Sequence, residues 1–200
     1  MLAQIVLFDG FDPLDVIAPH EVLAAGGIAT ELVSADGVRD VPAGLDLLTL
    51  RATGKLDPTR ADLVVVPGAA GSLADDQIPA ILARTLHTQL PALLGAALAN
   101  PKVTVATVCG GSLLLAMAGL INGRPATTHH MGLAALGRSG PVAIDARIVD
   151  DGDLISAAGV TSGLDLGLYL LDRELGSDVA LAVEQLIEHQ RRGTVWKVSA

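Results

Sequence analysis

Cys109 is the single cysteine of the chain. It stands where Val103-Thr104-Val105-Ala106-Thr107-Val108 gives way, through Gly110-Gly111, to Ser112-Leu113-Leu114-Leu115-Ala116-Met117-Ala118. A β-branched apolar run, a tight turn and a helical pattern put the thiol on a strand-to-helix elbow at the carboxyl edge of a sheet. The free N–H groups and positive dipole end of the following helix favour thiolate over thiol, so this position predicts a cysteine that ionises easily and attacks electrophilic carbon. The paired glycines call for a backbone reason, either the close approach of another segment or a positive φ.

Two other segments bring chemistry towards the same edge. Asp15 follows the buried strand Ile5–Phe8 across Asp9-Gly10-Phe11-Asp12. It reads either as a helix-start acid, with Asp12 as N-cap and Pro13 as first helical residue, or as a carboxyl that moves a proton beside the thiol. Pro19 has no N–H to offer the Asp15 carbonyl, which predicts an irregular start to this helix. Pro67-Gly68-Ala69-Ala70-Gly71 ends the strand Leu63–Val66 and can aim backbone N–H groups above Cys109. With the Gly110 N–H, that of Ala69 would form an oxyanion hole or anion nest.

The five histidines, His20, His87, His129, His130 and His189, lack metal-ligand spacing, and adjacent His129 and His130 point different ways in regular structure. Neither a metal nor a cofactor is expected. His129, or else His130, is the candidate to orient or deprotonate Cys109, set against an ordinary half-buried histidine. Ser162-Gly163 with Asp165 reads as a helix start.

The elements that must hold these groups alternate along the chain. Strands are expected at Ile5–Phe8, Ala29–Val33, Leu63–Val66 and the run ending at Cys109. Helices are expected at Asp12–Ala25, Ile78–Ala99, near Met131–Leu136, and over Ser162–Leu175 and Ser177–His189. Val142–Val149 and Leu154–Ala157, flanking Asp150-Asp151-Gly152-Asp153, read as a hairpin. Apolar strands separated by helices imply an α/β fold with a mostly parallel sheet covered on both faces. Such sheets place ligands at the carboxyl ends of their strands. Without linker, repeat or low-complexity tract, residues 1–200 read as one domain.

Composition limits the partners. Half of the residues are hydrophobic and 2% are aromatic, with a mean hydropathy of +0.52, so the core is large and aliphatic. No apolar run attains the ~20 residues of a membrane span, and the N-terminus lacks a signal peptide's basic region. A net charge of −9 and a pI near 4.8 disfavour nucleic acid. A cytoplasmic protein acting on a small molecule is the expectation, and a lone cysteine agrees with a reducing compartment.

Several segments in order, Leu14-Asp15-Val16-Ile17-Ala18-Pro19-His20, Pro67-Gly68, Val108-Cys109-Gly110-Gly111-Ser112, Ala118-Gly119-Leu120-Ile121-Asn122-Gly123-Arg124, Ala126-Thr127-Thr128-His129 and Gly159-Val160-Thr161-Ser162-Gly163-Leu164-Asp165, together resemble the ThiJ/PfpI (DJ-one/PfpI) superfamily across nearly the whole chain. The resemblance implies a flavodoxin-like three-layer sandwich with a glutamine amidotransferase-like nucleophile elbow. It further implies a homodimer and a carboxylic acid, here Asp15, beside the elbow cysteine. Aspartate in the context Leu14-Asp15 and Pro19-His20, and the Ala126–His129 stretch, are similar to the isonitrile (isocyanide) hydratase branch. That likeness implies attack of Cys109 on the terminal isocyanide carbon, protonation of that carbon by Asp15, and hydrolysis of the thioimidate to an N-substituted formamide. The chain departs from those hydratases at Gly110, where they carry threonine, at Ala69, where a second glycine is usual, and in a shorter C-terminal tail.

Two other readings stand beside this one. A different cysteine enzyme of the superfamily, amidase/protease-like or glyoxalase-type, would be favoured by a histidine within hydrogen-bond reach of Cys109. A non-enzymatic redox or ligand sensor would oxidise Cys109 to a sulfinate, with Asp15 as hydrogen-bond donor. The superfamily domain also resembles the N-terminal part of AraC-type regulators, but with no helix-turn-helix region in the sequence, direct DNA binding is not expected.

Overall fold

The computed structural model describes residues 1–72 and 77–198. Its strands are β1 (Leu2–Leu7), β2 (Ala29–Ser34), β3 (Arg39–Pro42), β4 (Thr49–Ala52), β5 (Gly54–Lys55), β6 (Leu63–Val66), β7 (Thr104–Val108), β8 (Pro125–Ala126), β9 (Val142–Ala143), β10 (Ile148–Asp150), β11 (Leu154–Ala157) and β12 (Val195–Lys197). The helices are α1 (Pro13–Ala25), α2 (Gln77–Thr85), α3 (Leu90–Leu98), α4 (Gly111–Met117), α5 (Leu133–Arg138), α6 (Ser162–Leu175) and α7 (Ser177–Leu186).

Eight strands form the central sheet in the order β12-β10-β11-β7-β6-β1-β2-β5, parallel except for the β10–β11 pair. The strands at its centre are buried on both faces: β6 is an unbroken Leu-Val run, and β1 and β7 are apolar apart from the buried Gln4 and Thr107 and the half-buried Thr104. Helices α1, α6 and α7 pack in series, α2 and α5 pack against α4, and α3 lies on β7. The result is the flavodoxin-like α/β sandwich that the sequence predicted. From β1 the chain goes outward to β2 on one side, and β6, β7 and β11 follow on the other, so the crevice opens at the carboxyl ends of β1 and β6.

Local signals account for most boundaries. Asp12, in extended backbone, caps α1 by accepting the Leu14 N–H at 2.9 Å, and Pro13 opens the helix. The helix is continuous through Pro19, contrary to the expected irregularity. The single helix expected over Ile78–Ala99 is two. Pro91 in the first turn of α3 withholds an N–H and disfavours helix before it, while the Thr88 hydroxyl donates to the Thr85 carbonyl and accepts the Leu90 N–H. The first arm of the expected hairpin also divides: Val142–Ala143 pairs with β8, and only Ile148–Asp150 pairs with β11.

The α1–α6 contact depends on glycine. A Cβ on Gly163 would meet Pro19 Cδ at 3.1 Å and Ala18 Cβ at 3.2 Å, and one on Gly167 would sit 2.7 Å from Val22 Cβ. Gly167→Ala is therefore expected to lower the urea midpoint, since overpacking of roughly 1–3 kcal/mol outweighs a helix-propensity gain of about 1 kcal/mol. Gly137→Ala in α5, whose added Cβ meets only Ala143 Cβ at 3.6 Å, should raise it.

Candidate active site

Cys109 takes a left-handed backbone, φ +55°, at the end of β7. A residue with a Cβ pays about 1–2 kcal/mol for this, and neighbouring strands and loops hold it in place. Its N–H donates to the carbonyls of Ala157 at 3.1 Å and Ala158 at 2.8 Å. Its carbonyl accepts the Thr128 hydroxyl at 2.6 Å and, at longer range, that of Ser112 at 3.4 Å. The positive φ thus belongs to the cysteine, whereas Gly110 is right-handed at φ −69°. Gly111 answers the other half of the glycine argument, because a Cβ there would lie 2.2 Å from the Val66 carbonyl oxygen.

Asp15 is fully buried, and its Oδ2 accepts the Gly68 N–H at 2.8 Å, a bond between residues 53 apart in sequence. The loop after β6 therefore reaches the acid as well as the thiol: a Cβ on Gly68 would stand 2.9 Å from Asp15 Oδ2 and 2.5 Å from Gly110 N. Only a glycine fits between them. The Asp15 and Cys109 side chains lie within hydrogen-bonding range of one another. No bond of regular geometry joins them, and Asp15 Oδ1 has no other partner among the described residues.

Burial dominates the protonation of both groups. It holds the Asp15 carboxyl well above the usual carboxylate range, helped by the charge of Asp12 and opposed by the Gly68 N–H and Cys109. It also pushes the Cys109 thiol up, reinforced by the charge of Asp15, while the Gly110 N–H pulls the other way. The easily ionised thiol expected from the helix terminus is corrected here, since desolvation exceeds that backbone contribution. Two negative charges this close in a buried site do not coexist, so the pair keeps a proton.

The remaining predicted residues fall on either side of the thiol. Ala69 is buried in an antiparallel bridge with Phe11 whose hydrogen bonds use its neighbours, Gly68 and Ala70, so the Ala69 N–H has no partner among the described residues. The Gly110 N–H is turned towards the sulfur. His129 is not joined to Cys109: its Nδ1 accepts the Met131 N–H at 3.3 Å, and its ring lies 4.3 Å from that of His130, centroid to centroid. Burial, then the neighbouring His130, lowers its pKa. Their stacking departs from the expected divergence because the pair enters a short 3-10 turn, His130–Gly132.

Sequence reasoning did not single out the Thr128 hydroxyl on the Cys109 carbonyl, although Thr127-Thr128 lay within a noted motif. Nor did it find Asp165 as a buried hub. Asp165 accepts Arg147 Nε at 2.8 Å, His189 Nε2 at 3.0 Å and the Arg192 N–H at 2.9 Å. Among the described residues, no cluster of three or more His, Cys, Asp or Glu side chains is arranged to hold a metal ion, and no helix is long and apolar enough to cross a membrane.

A family model described as DJ-1/PfpI family matches residues 1–173. The chain is 32% identical over 187 residues to an isonitrile hydratase of Pseudomonas putida, covering 92% of this chain and 76% of that protein. In structure it is similar to a ThiJ/PfpI family protein from Pseudomonas syringae, with a TM-score of 0.79, 25% identity, and coverage of 96% and 76% of the two chains. Drosophila melanogaster DJ-1beta, at 19% identity, shares the fold with a TM-score of 0.78, covering 94% of this chain and 98% of its own.

The buried pair sets two measurable signs. Ultraviolet thiolate absorbance of the wild type should rise only above the ordinary cysteine range of about 8.5, and Asp15→Asn, which removes the neighbouring charge, should move that rise to lower pH. An unchanged profile would show that Asp15 exerts no charge on the thiol. Because the folded-state pKa of Asp15 is raised, its stabilising contribution is complete below the unfolded value of about 3.9 and is lost as pH rises through the folded value. Asp15→Asn should therefore melt progressively higher than wild type as the buffer goes from acidic to alkaline.

Proposed function

The chain belongs to the DJ-1/PfpI family, and from that premise we propose that it is a cysteine-dependent hydratase converting isocyanides to N-substituted formamides. The observation that carries the reading is the buried Asp15–Cys109 pair, two side chains within hydrogen-bonding range of one another that would serve as acid and nucleophile. Isocyanide addition needs both together: sulfur adds to the terminal carbon of R–N≡C, and that carbon takes a proton. The likeness to a named isonitrile hydratase over 92% of the chain supports the same choice of substrate.

The proposed cycle balances on this pair. Cys109 Sγ forms the C–S bond while the shared proton passes through Asp15 to the carbon, giving the thioimidate Cys–S–CH=N–R. Asp15, now a carboxylate, takes a proton from water as the oxygen adds to that carbon. Nitrogen is protonated, the C–S bond breaks, and the sulfur recovers its proton as R–NH–CHO leaves. Net, one isocyanide and one water give one formamide. A raised carboxyl pKa suits this role, since the acid must arrive protonated in the neutral range. His129 is assigned no proton transfer, because among the described residues its hydrogen bond is to the Met131 N–H and none joins it to Cys109 or Asp15. A homodimer and a cytoplasmic location belong to the same proposal.

Formamide release from para-nitrophenyl isocyanide tests it. Cys109→Ala should abolish turnover with the melting curve retained, and Asp15→Asn should slow it by about 10²–10⁴-fold, the usual worth of general acid–base catalysis. Formamide production by Cys109→Ala, or its absence in the wild type, would overturn the reading.

A further inference from the structure

One carbonyl at the elbow is held by a side chain alone. Among the described residues no backbone N–H bonds to the Cys109 oxygen, and the hydroxyls of Thr128 and Ser112 stand 2.6 and 3.4 Å from it. A hydroxyl carries one proton, and that of Ser112 has a far closer acceptor in the Thr127 carbonyl. The working donor is therefore Thr128.

Thr128 is built to keep that bond. It is 1% exposed, and its methyl faces Gly132, where an added Cβ would come within 3.2 Å of Thr128 Cγ2. A β-branched side chain fixed through both its branches keeps one rotamer. Thr127 anchors the backbone beside it, with its N–H on Ser156 Oγ at 2.8 Å, its hydroxyl on the Ala146 carbonyl at 3.0 Å and its carbonyl accepting the Ser112 hydroxyl. The two threonines form a strap from β11, α4 and the approach to β10 onto the peptide that follows the nucleophile.

That peptide has two ends. In a planar trans peptide the C=O and N–H point in opposite directions, so the Cys109 carbonyl on Thr128 leaves the Gly110 N–H turned towards the sulfur. Glycine at 110 would let the plane turn over, because its φ, here −69°, is as free to be positive. We infer that Thr128 is a positioning residue: its hydroxyl locks the Cys109–Gly110 peptide and so keeps the Gly110 N–H on the reacting sulfur. The inference rests on the hydratase reading only in its effect on turnover.

Thr128→Val keeps the shape and removes the hydroxyl, whereas Thr128→Ser keeps the hydroxyl. The Gly110 N–H favours thiolate, so at one alkaline pH iodoacetamide should alkylate the valine variant about tenfold more slowly than wild type, the worth of one hydrogen bond to a charged group. The serine variant should react at the wild-type rate. A role in packing alone has the opposite sign, since a loosened site admits water and desolvation no longer holds the thiol protonated. Formamide release from para-nitrophenyl isocyanide should fall about 10²-fold in kcat for valine, with KM little changed, and recover with serine. If the valine variant melts early, Thr128→Ala set against Thr128→Ser isolates the same hydroxyl. Alkylation of the hydroxyl-free variant as fast as wild type or faster, or equal slowing in the serine variant, overturns the lock. A wild type that releases no formamide overturns the hydratase reading, and the alkylation comparison still decides the lock.

Discussion

The left-handed backbone at Cys109 is the constraint on which the site depends. An extended residue there would continue β7 past the sheet edge, and a right-handed one would begin α4 a residue early. At φ +55° the chain turns sharply enough to leave the side chain at the bend. The cost is met by bonds to both backbone groups: Ala157 and Ala158 hold the N–H, and Thr128 holds the carbonyl. Those partners come from the end of β11 and from the stretch after β8, so the bend requires a finished sheet. It also brings Gly111 against Val66 and Gly110 against Gly68, which is how the loop after β6 comes to share the site.

Around this bend, low dielectric governs the chemistry. A helix terminus beside an exposed thiol promotes ionisation, and the same terminus beside a buried thiol next to a carboxyl is outweighed. What results is a pair in which burial favours the protonated form of each group. Perturbed titratable groups side by side in one crevice are what sets this position apart from the rest of the core.

Features written in contiguous residues were legible in the sequence. The elbow, the Asp12 cap, the strand Leu63–Val66 and the helix Ser162–Leu175 each rest on a pattern shorter than one element, and the structure keeps them. The motif positions also led to Asp15 and Cys109 as neighbours. The direction of the thiol pKa was not legible, because desolvation is summed over segments distant in the chain. The Asp15–Gly68 bond spans 53 residues and leaves no local trace. The break near Pro91 had a local signal, masked by Ala- and Leu-rich helix propensity on either side of it. Asp165 looked like a helix-start acid since its partners Arg147, His189 and Arg192 lie 18, 24 and 27 residues away.

Asp165 ties the far end of the chain to the rest. One carboxylate on α6 collects donors from the segment before β10, from beyond α7 and from the approach to β12, and α6 itself is packed by glycine contact on the helix that carries Asp15. An edge strand close to a chain terminus ordinarily frays on its own. Here the residues leading into that strand and the helix bearing Asp15 are both fastened to α6, the first through Asp165 and the second through Gly163 and Gly167. Loosening α6 would therefore release the approach to β12 and the helix that carries Asp15 together.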